Sequence, residues 1–133
     1  QSTSNPTSIS QVAAEAALSG DQTCMEPMIK AFRERHAYIV KSFNEIPGLS
    51  CIEAEGAFYA FPDARKAIEN LYNKKILKEK NDLALADYLL EKEGVAVVPG
   101  SAFGAEGYFR ISFATSMKNL TEALTRIKRA LSV

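Results

Sequence analysis

Apolar positions recur in alternating steps of four and three along Met25, Ile29, Phe32, His36, Ile39, Phe43 and Ile46. That spacing places them on one face of a long amphipathic helix, with Lys30, Arg33, Glu34 and Lys41 off it. Thr23 and Glu26 form a capping box ahead of the helix, and Pro47-Gly48 ends it. A shorter, alanine-rich helix is predicted upstream. Ser8 with Gln11 caps it, Ile9, Val12, Ala13, Ala16 and Ala17 form its stripe, and Gly20 serves as a left-handed stop.

Beyond Pro47 the period shortens. Residues 49–54 alternate weakly, and residues 57–61 (Ala-Phe-Tyr-Ala-Phe) are strongly β-prone, with Gly56 between the two strands and Pro62-Asp63 as a break. A short helix over 64–72 leads into a polar loop. Residues 82–93 read as a helix carrying Leu83, Ala86, Leu89 and Leu90, stopped by Gly94. Residues 95–98 are continuously apolar, which predicts a strand buried on both faces, and Pro99-Gly100-Ser101 turns away from it. Residues 108–114 form the last strand. Ser116 caps a final helix with the stripe Leu120, Ala123, Leu124, Ile127 and Leu131. Strands and helices mix without strict β-α-β alternation. The expected class is α+β, a small mixed or antiparallel sheet covered by helices, one of them long.

Composition narrows the function classes. The chain has 133 residues and 47% hydrophobic content, enough for the core of one domain. Sixteen basic side chains balance sixteen acidic ones, so there is no electrostatic case for nucleic acid or an anionic membrane. Lys74, Lys75, Lys78 and Lys80 read as a solvated loop. Cys24 and Cys51 have no motif spacing and are expected as free thiols. With no long apolar run, the expected location is the cytoplasm. Gln1 is no initiator and QSTSNPT reads as loop, so the chain is expected to begin inside a longer protein.

Most familiar chemistries find no residues here. The one histidine, His36, lies in the apolar stripe and is expected to face the core. No Cys/His set has zinc spacing, no glycine loop matches a phosphate cradle, and no nucleophile triad assembles. Arg110 stands out because it sits inside a strand. Alternation puts Tyr108, Arg110 and Ser112 on one face and Phe109, Ile111 and Phe113 on the other. A guanidinium beside so much apolar surface needs a partner. Its fork suits a carboxylate, and two sources are open: a bound ligand, or an internal acid such as Glu53 or Glu106.

The run VAVVPGSAFGAEGYFRISFATS resembles the C-terminal signature of class I aminotransferases of fold type I, most of all the bacterial-subgroup aspartate aminotransferases. QSTSNPTSISQVAAEAAL is similar to the segment leading from their large domain to the small one. GAFYAFPD is similar to the strand that carries an aromatic residue to the mouth of the active site. The resemblance covers essentially the whole chain and departs mainly at residues 64–80.

The resemblance implies that residues 1–20 are a connecting loop and helix and residues 21–133 the small C-terminal domain. It implies that Arg110 binds the substrate α-carboxylate and that Phe58 approaches the substrate when the domain closes. Ser4 and Asn5 would approach the cofactor phosphate of the neighbouring subunit, unless they are only a helix-entry loop. The implied parent is a homodimer that uses pyridoxal 5′-phosphate to pass an amino group from an amino acid to a 2-oxo acid. None of the chain's lysines has the Schiff-base context, so the chain alone is expected neither to hold the cofactor nor to transaminate. No catalytic residue and no metal ligand is expected in it; its partners would be the large domain and the substrates. The alternatives are another fold type I enzyme with the same small domain, or a freestanding α+β binding module.

Overall fold

The computed structural model describes residues 4–132, so the first three residues of QSTSNPT lie outside the described residues. The chain divides into two compact units, residues 1–31 and residues 32–133.

In the first unit, helix α1 (Ser8–Ser19) is capped one residue earlier than expected. Thr7 is extended, and its hydroxyl accepts the Ser10 N–H at 3.3 Å. Gly20 is extended as well (φ −83°), not left-handed; its N–H closes on Ala16 O at 3.0 Å, which finishes the last turn without a reversal. No residue of α1 is buried. The second capping box is also replaced. Asp21 accepts from the Thr23 N–H (2.9 Å) and hydroxyl (2.6 Å), and a 3-10 turn, Thr23–Met25, runs directly into helix α2 (Glu26–Asn44).

The predicted stripe is buried only in its later part: Ile39, Phe43 and Ile46 are buried, with Val40 beside them, Phe32 and His36 are half-buried, and Met25 and Ile29, in the first unit, are exposed. The chain then reverses at Gly48, whose φ of +89° suits glycine; a Cβ there would come within 2.9 Å of Ala67 N. Helices α3 (Arg65–Asn73), α4 (Asp82–Glu93) and α5 (Met117–Leu131) add Ile68 and Leu71, Leu85 and Leu89, and Leu120, Leu124 and Ile127 to one core. Phe43 meets Phe109 edge-on within it, at 5.7 Å between centroids. Ser116 caps α5 and Gly94 ends α4, as read from the sequence; Gly94 does so in the left-handed conformation, and Asn81, not singled out there, caps α4. Arg129 of α5 pairs with the buried Glu93 carboxylate of α4.

The sheet is α+β in the expected way but smaller. Strands β1 (Tyr59–Ala60), β2 (Val98–Pro99) and β3 (Phe109–Ser112) pair antiparallel in the order β1-β3-β2. The register sets Tyr59 opposite Ser112 and Val98 opposite Arg110. Two strand expectations fail. Residues 49–54 make only the single bridge Ser50–Asp63, because the backbone of Cys51 is held by the Asn44 side chain through two 2.8 Å hydrogen bonds. Of residues 95–98 only Val98 is in a strand. Ala96 is exposed and Val97 and Val98 half-buried, since β2 pairs on one side alone. Both cysteines are free; Cys24 is exposed, and burial pushes the Cys51 thiol up.

Candidate functional site

Strand β3 divides its side chains as alternation requires. Phe109, Ile111 and Phe113 are buried, while Tyr108, Arg110 and Ser112 lie toward solvent. The Arg110 guanidinium is 4.4 Å from the Tyr59 ring centre and 4.5 Å from that of Phe103. Tyr59 reaches it by register: it faces Ser112, the next residue on Arg110's side of β3. Phe103 reaches it from a 3-10 turn, Gly100–Phe103. Neither Glu53 nor Glu106 pairs with Arg110, and no acid among the described residues does. The charge rests on two π-faces, which support a cation but satisfy none of the five guanidinium N–H donors along their own directions.

The aromatic frame extends on both sides. Phe58 is 41% exposed, and its ring centre lies 4.3 Å from that of Tyr59. Phe58 and Arg110 thus both adjoin the ring of Tyr59. Ala57, immediately before Phe58, has a φ of +64°, a costly conformation for a residue with a Cβ. On the other side Phe103 meets Phe61 edge-on at 6.1 Å, and Phe61 stacks on Tyr108 at 5.4 Å. Arg65 lies over Tyr108 and binds both oxygens of Asp63 through Nε at 3.0 Å, which holds the Asp63 carboxyl below its ordinary range.

His36 is half-buried and faces the core from its edge, as the stripe predicts. Its Nε2 accepts the Ala54 N–H at 3.2 Å, and its ring packs 5.6 Å from that of Phe113. Ser4 and Asn5 are exposed in the irregular stretch before α1. Tyr59 and Phe103 were not singled out by sequence reasoning. Tyr59 stood in a segment already read as strand, but its place beside Arg110 depends on a register that no local pattern encodes. Phe103 sits in a turn without periodicity.

A half-buried arginine rests on an aromatic platform carried by a small sheet, and its guanidinium donors are open to a planar acceptor. The chain belongs to the class I and II aminotransferase family, whose model matches residues 1–127. It is 61% identical to an aspartate/prephenate aminotransferase of Nitrosomonas europaea, over 99% of this chain and 33% of that protein. It is 47% identical to an aspartate aminotransferase of Bacillus subtilis, over 96% of this chain and 31% of that one. Its structure superposes on an aspartate aminotransferase from Rhizobium meliloti with a TM-score of 0.85 at 41% identity, covering 99% of this chain and 33% of that one. An alanine aminotransferase from Pyrococcus furiosus gives 0.82 at 33% identity, over 96% and 30%. The chain spans about a third of the length of the curated relatives it matches.

The family implies pyridoxal 5′-phosphate in the complete enzyme. The lysines among the described residues do not fit its Schiff base. A Schiff-base lysine works as a nucleophile when its amine is desolvated or set beside another cation, and every lysine of this chain is exposed. Lys41 and Lys80 are moreover paired with Glu45 and Glu69. What the described residues offer is the Arg110 guanidinium, held on two rings with its donors open. They form no group of three or more side chains able to hold a metal ion, and no helix among them is long and apolar enough to cross a membrane.

Proposed function

We propose that this chain is the substrate-clamping C-terminal part of a pyridoxal-phosphate-dependent aminotransferase of the aspartate/2-oxoglutarate type. In this reading residues 1–20 connect to the cofactor-bearing remainder, and residues 21–133 are the small domain. The observation that carries it is the Arg110 guanidinium held against Tyr59 and Phe103 with no acidic partner among the described residues. Two parallel N–H donors match the two oxygens of an α-carboxylate, which amino acid and 2-oxo acid substrates share.

Arg110 fixes one end of the substrate and so restricts the angle at which the Cα substituents face the reacting group; such positioning is worth several kcal/mol in principle. Phe58, exposed beside Tyr59, covers the substrate when the domain closes and helps exclude water. Ser4 and Asn5 reach the cofactor phosphate of a second subunit in a cytoplasmic homodimer. The chemistry at the amino group belongs to the cofactor and to the rest of the enzyme. The choice of substrate side chain is left open by this domain, because its fold is shared with relatives named for aspartate and for alanine.

The test is Arg110→Lys in the complete enzyme, assayed with aspartate and a 2-oxo acid by following the visible band of the bound cofactor. Lysine keeps the charge and loses the fork, so kcat/KM should fall about 100-fold, the equivalent of one charged hydrogen-bonded contact of about 3 kcal/mol. Unchanged kinetics would remove Arg110 from the site. Activity toward amino acids with no transfer to a 2-oxo acid would favour another fold type I chemistry.

A further inference from the structure

We propose that Asp82 is a positioning residue for Arg110: its buried carboxylate ties down the 100–107 loop and thereby holds Phe103 against the guanidinium. The inference rests on the reading of Arg110 as the substrate-carboxylate site.

Asp82 is the first residue of α4 and only 1% exposed. Its Oδ2 accepts the Ser101 N–H at 2.7 Å and its Oδ1 the Gly107 N–H at 3.4 Å. One carboxylate thus grips the loop near both ends. Other contacts close the loop further: Gly100 N–H to Tyr108 O at 2.8 Å, Ala105 N–H to Gly100 O at 3.0 Å, and Gly104 N–H to Ser101 O at 3.0 Å. Gly100 leaves no slack, since a Cβ there would fall 2.2 Å from Ala105 O.

The loop carries Phe103, which is 49% exposed. Burial alone does not account for that ring's placement. What the ring does is lie beneath Arg110 at 4.5 Å and meet Phe61 edge-on. Arg110 therefore has one support from the sheet, Tyr59, and one from the loop, Phe103. Asp82 governs the second.

The N–H groups of Ser101 and Gly107 can only donate, and a carboxylate only accepts, so both are satisfied at once beside the Ser101 hydroxyl. An asparagine would turn an NH2 toward one of them. Burial alone would raise the Asp82 pKa, but the donors from Ser101 and Gly107 outweigh it and leave the carboxyl below its ordinary value. The helix N-terminus adds a favourable field for the same charge. Asp82 is then ionised throughout the neutral range.

The experiment uses the complete enzyme with cofactor and compares Asp82→Asn, Phe103→Ala, the double variant and Arg110→Lys. Each of the first two should raise KM about tenfold for both the amino acid and the 2-oxo acid, with kcat within about twofold. The same factor on both substrates is the signature, because they share the α-carboxylate and not the amino group. The double variant should be no worse than the poorer single one, since the two residues act in series. A merely structural Asp82 would lower Tm and leave both KM values alone, and that result overturns the proposal; so do additive effects in the double variant. If Asp82→Asn does not accumulate folded, Phe103→Ala decides: a wild-type KM breaks the link, and a raised KM on both substrates supports it. Arg110→Lys separates the two readings. Unchanged KM there sinks the carboxylate site itself, whereas raised KM there beside normal Asp82→Asn kinetics sinks the positioning role alone.

Discussion

The Arg110 guanidinium sits 4.4 Å from the centre of the Tyr59 ring, and the two residues are diagonal neighbours across the β1-β3 pair. A cation set on a π-face sheds part of its hydration while its donors stay open, and no acid among the described residues pairs with this one. The strand pairing supplies this arrangement, and in the proposed function it makes Tyr59 part of the substrate-binding surface.

Tyr59→Leu should therefore weaken substrate binding, with KM rising several-fold for a cation–π contact worth about 1 kcal/mol. Tyr59→Phe should be close to silent, because the ring is kept. Steady-state kinetics on the complete enzyme checks both. Equal effects of the two changes would mean that the hydroxyl, and not the ring, matters.

Phe109 is the buried neighbour of Arg110 and fully enclosed, packed edge-on against Phe43. Phe109→Ala should cost about 3–5 kcal/mol, through lost transfer free energy and the cavity left behind. Urea unfolding with an unchanged m-value would show it. A cost under about 1 kcal/mol would mean that the core collapses into the space.

Acid should loosen the fold through two pairs. The Glu93 carboxyl is held below its ordinary value by the Arg129 hydrogen bond, and Asp63 likewise by Arg65. A depressed folded pKa contributes stability that is present above the unfolded value and is lost as pH falls through the folded one. The window thus lies below about pH 4. Glu93→Gln and Asp63→Asn should each flatten Tm against pH between about pH 5 and pH 2. A slope identical to that of the unaltered chain would exclude the pair concerned.

The 133-residue chain on its own should form no stable aldimine with pyridoxal 5′-phosphate, because each lysine is exposed and hydrated. Borohydride reduction followed by mass analysis reads this directly. A single reduced adduct on one lysine at equimolar cofactor would contradict it.

The helices were legible because their signal is local. The four-three steps through Ile39, Phe43 and Ile46, and through Leu120, Leu124 and Ile127, need only the helical period to reach one face. The caps were less so. Thr7 displaced Ser8 and Asp21 displaced Thr23, since neighbouring residues that can all cap compete on small differences in backbone angle. Strand extents were least legible. Residues 51–54 and 95–97 look like strands by composition, yet a strand exists only where a partner pairs with it.

For the site, the chain alone determined that Arg110 and the apolar residues Phe109 and Ile111 lie on opposite faces, because side chains alternate along any strand. It also determined the family signature around that arginine. Only the tertiary structure decided what touches it. Tyr59 arrives through a register and Phe103 through a turn without period, whose loop Asp82 holds by hydrogen bonds to residues 19 and 25 positions away. The physical reason is range: periodicity encodes which side of its own element a residue faces, whereas contact between elements depends on how the chain closes in space.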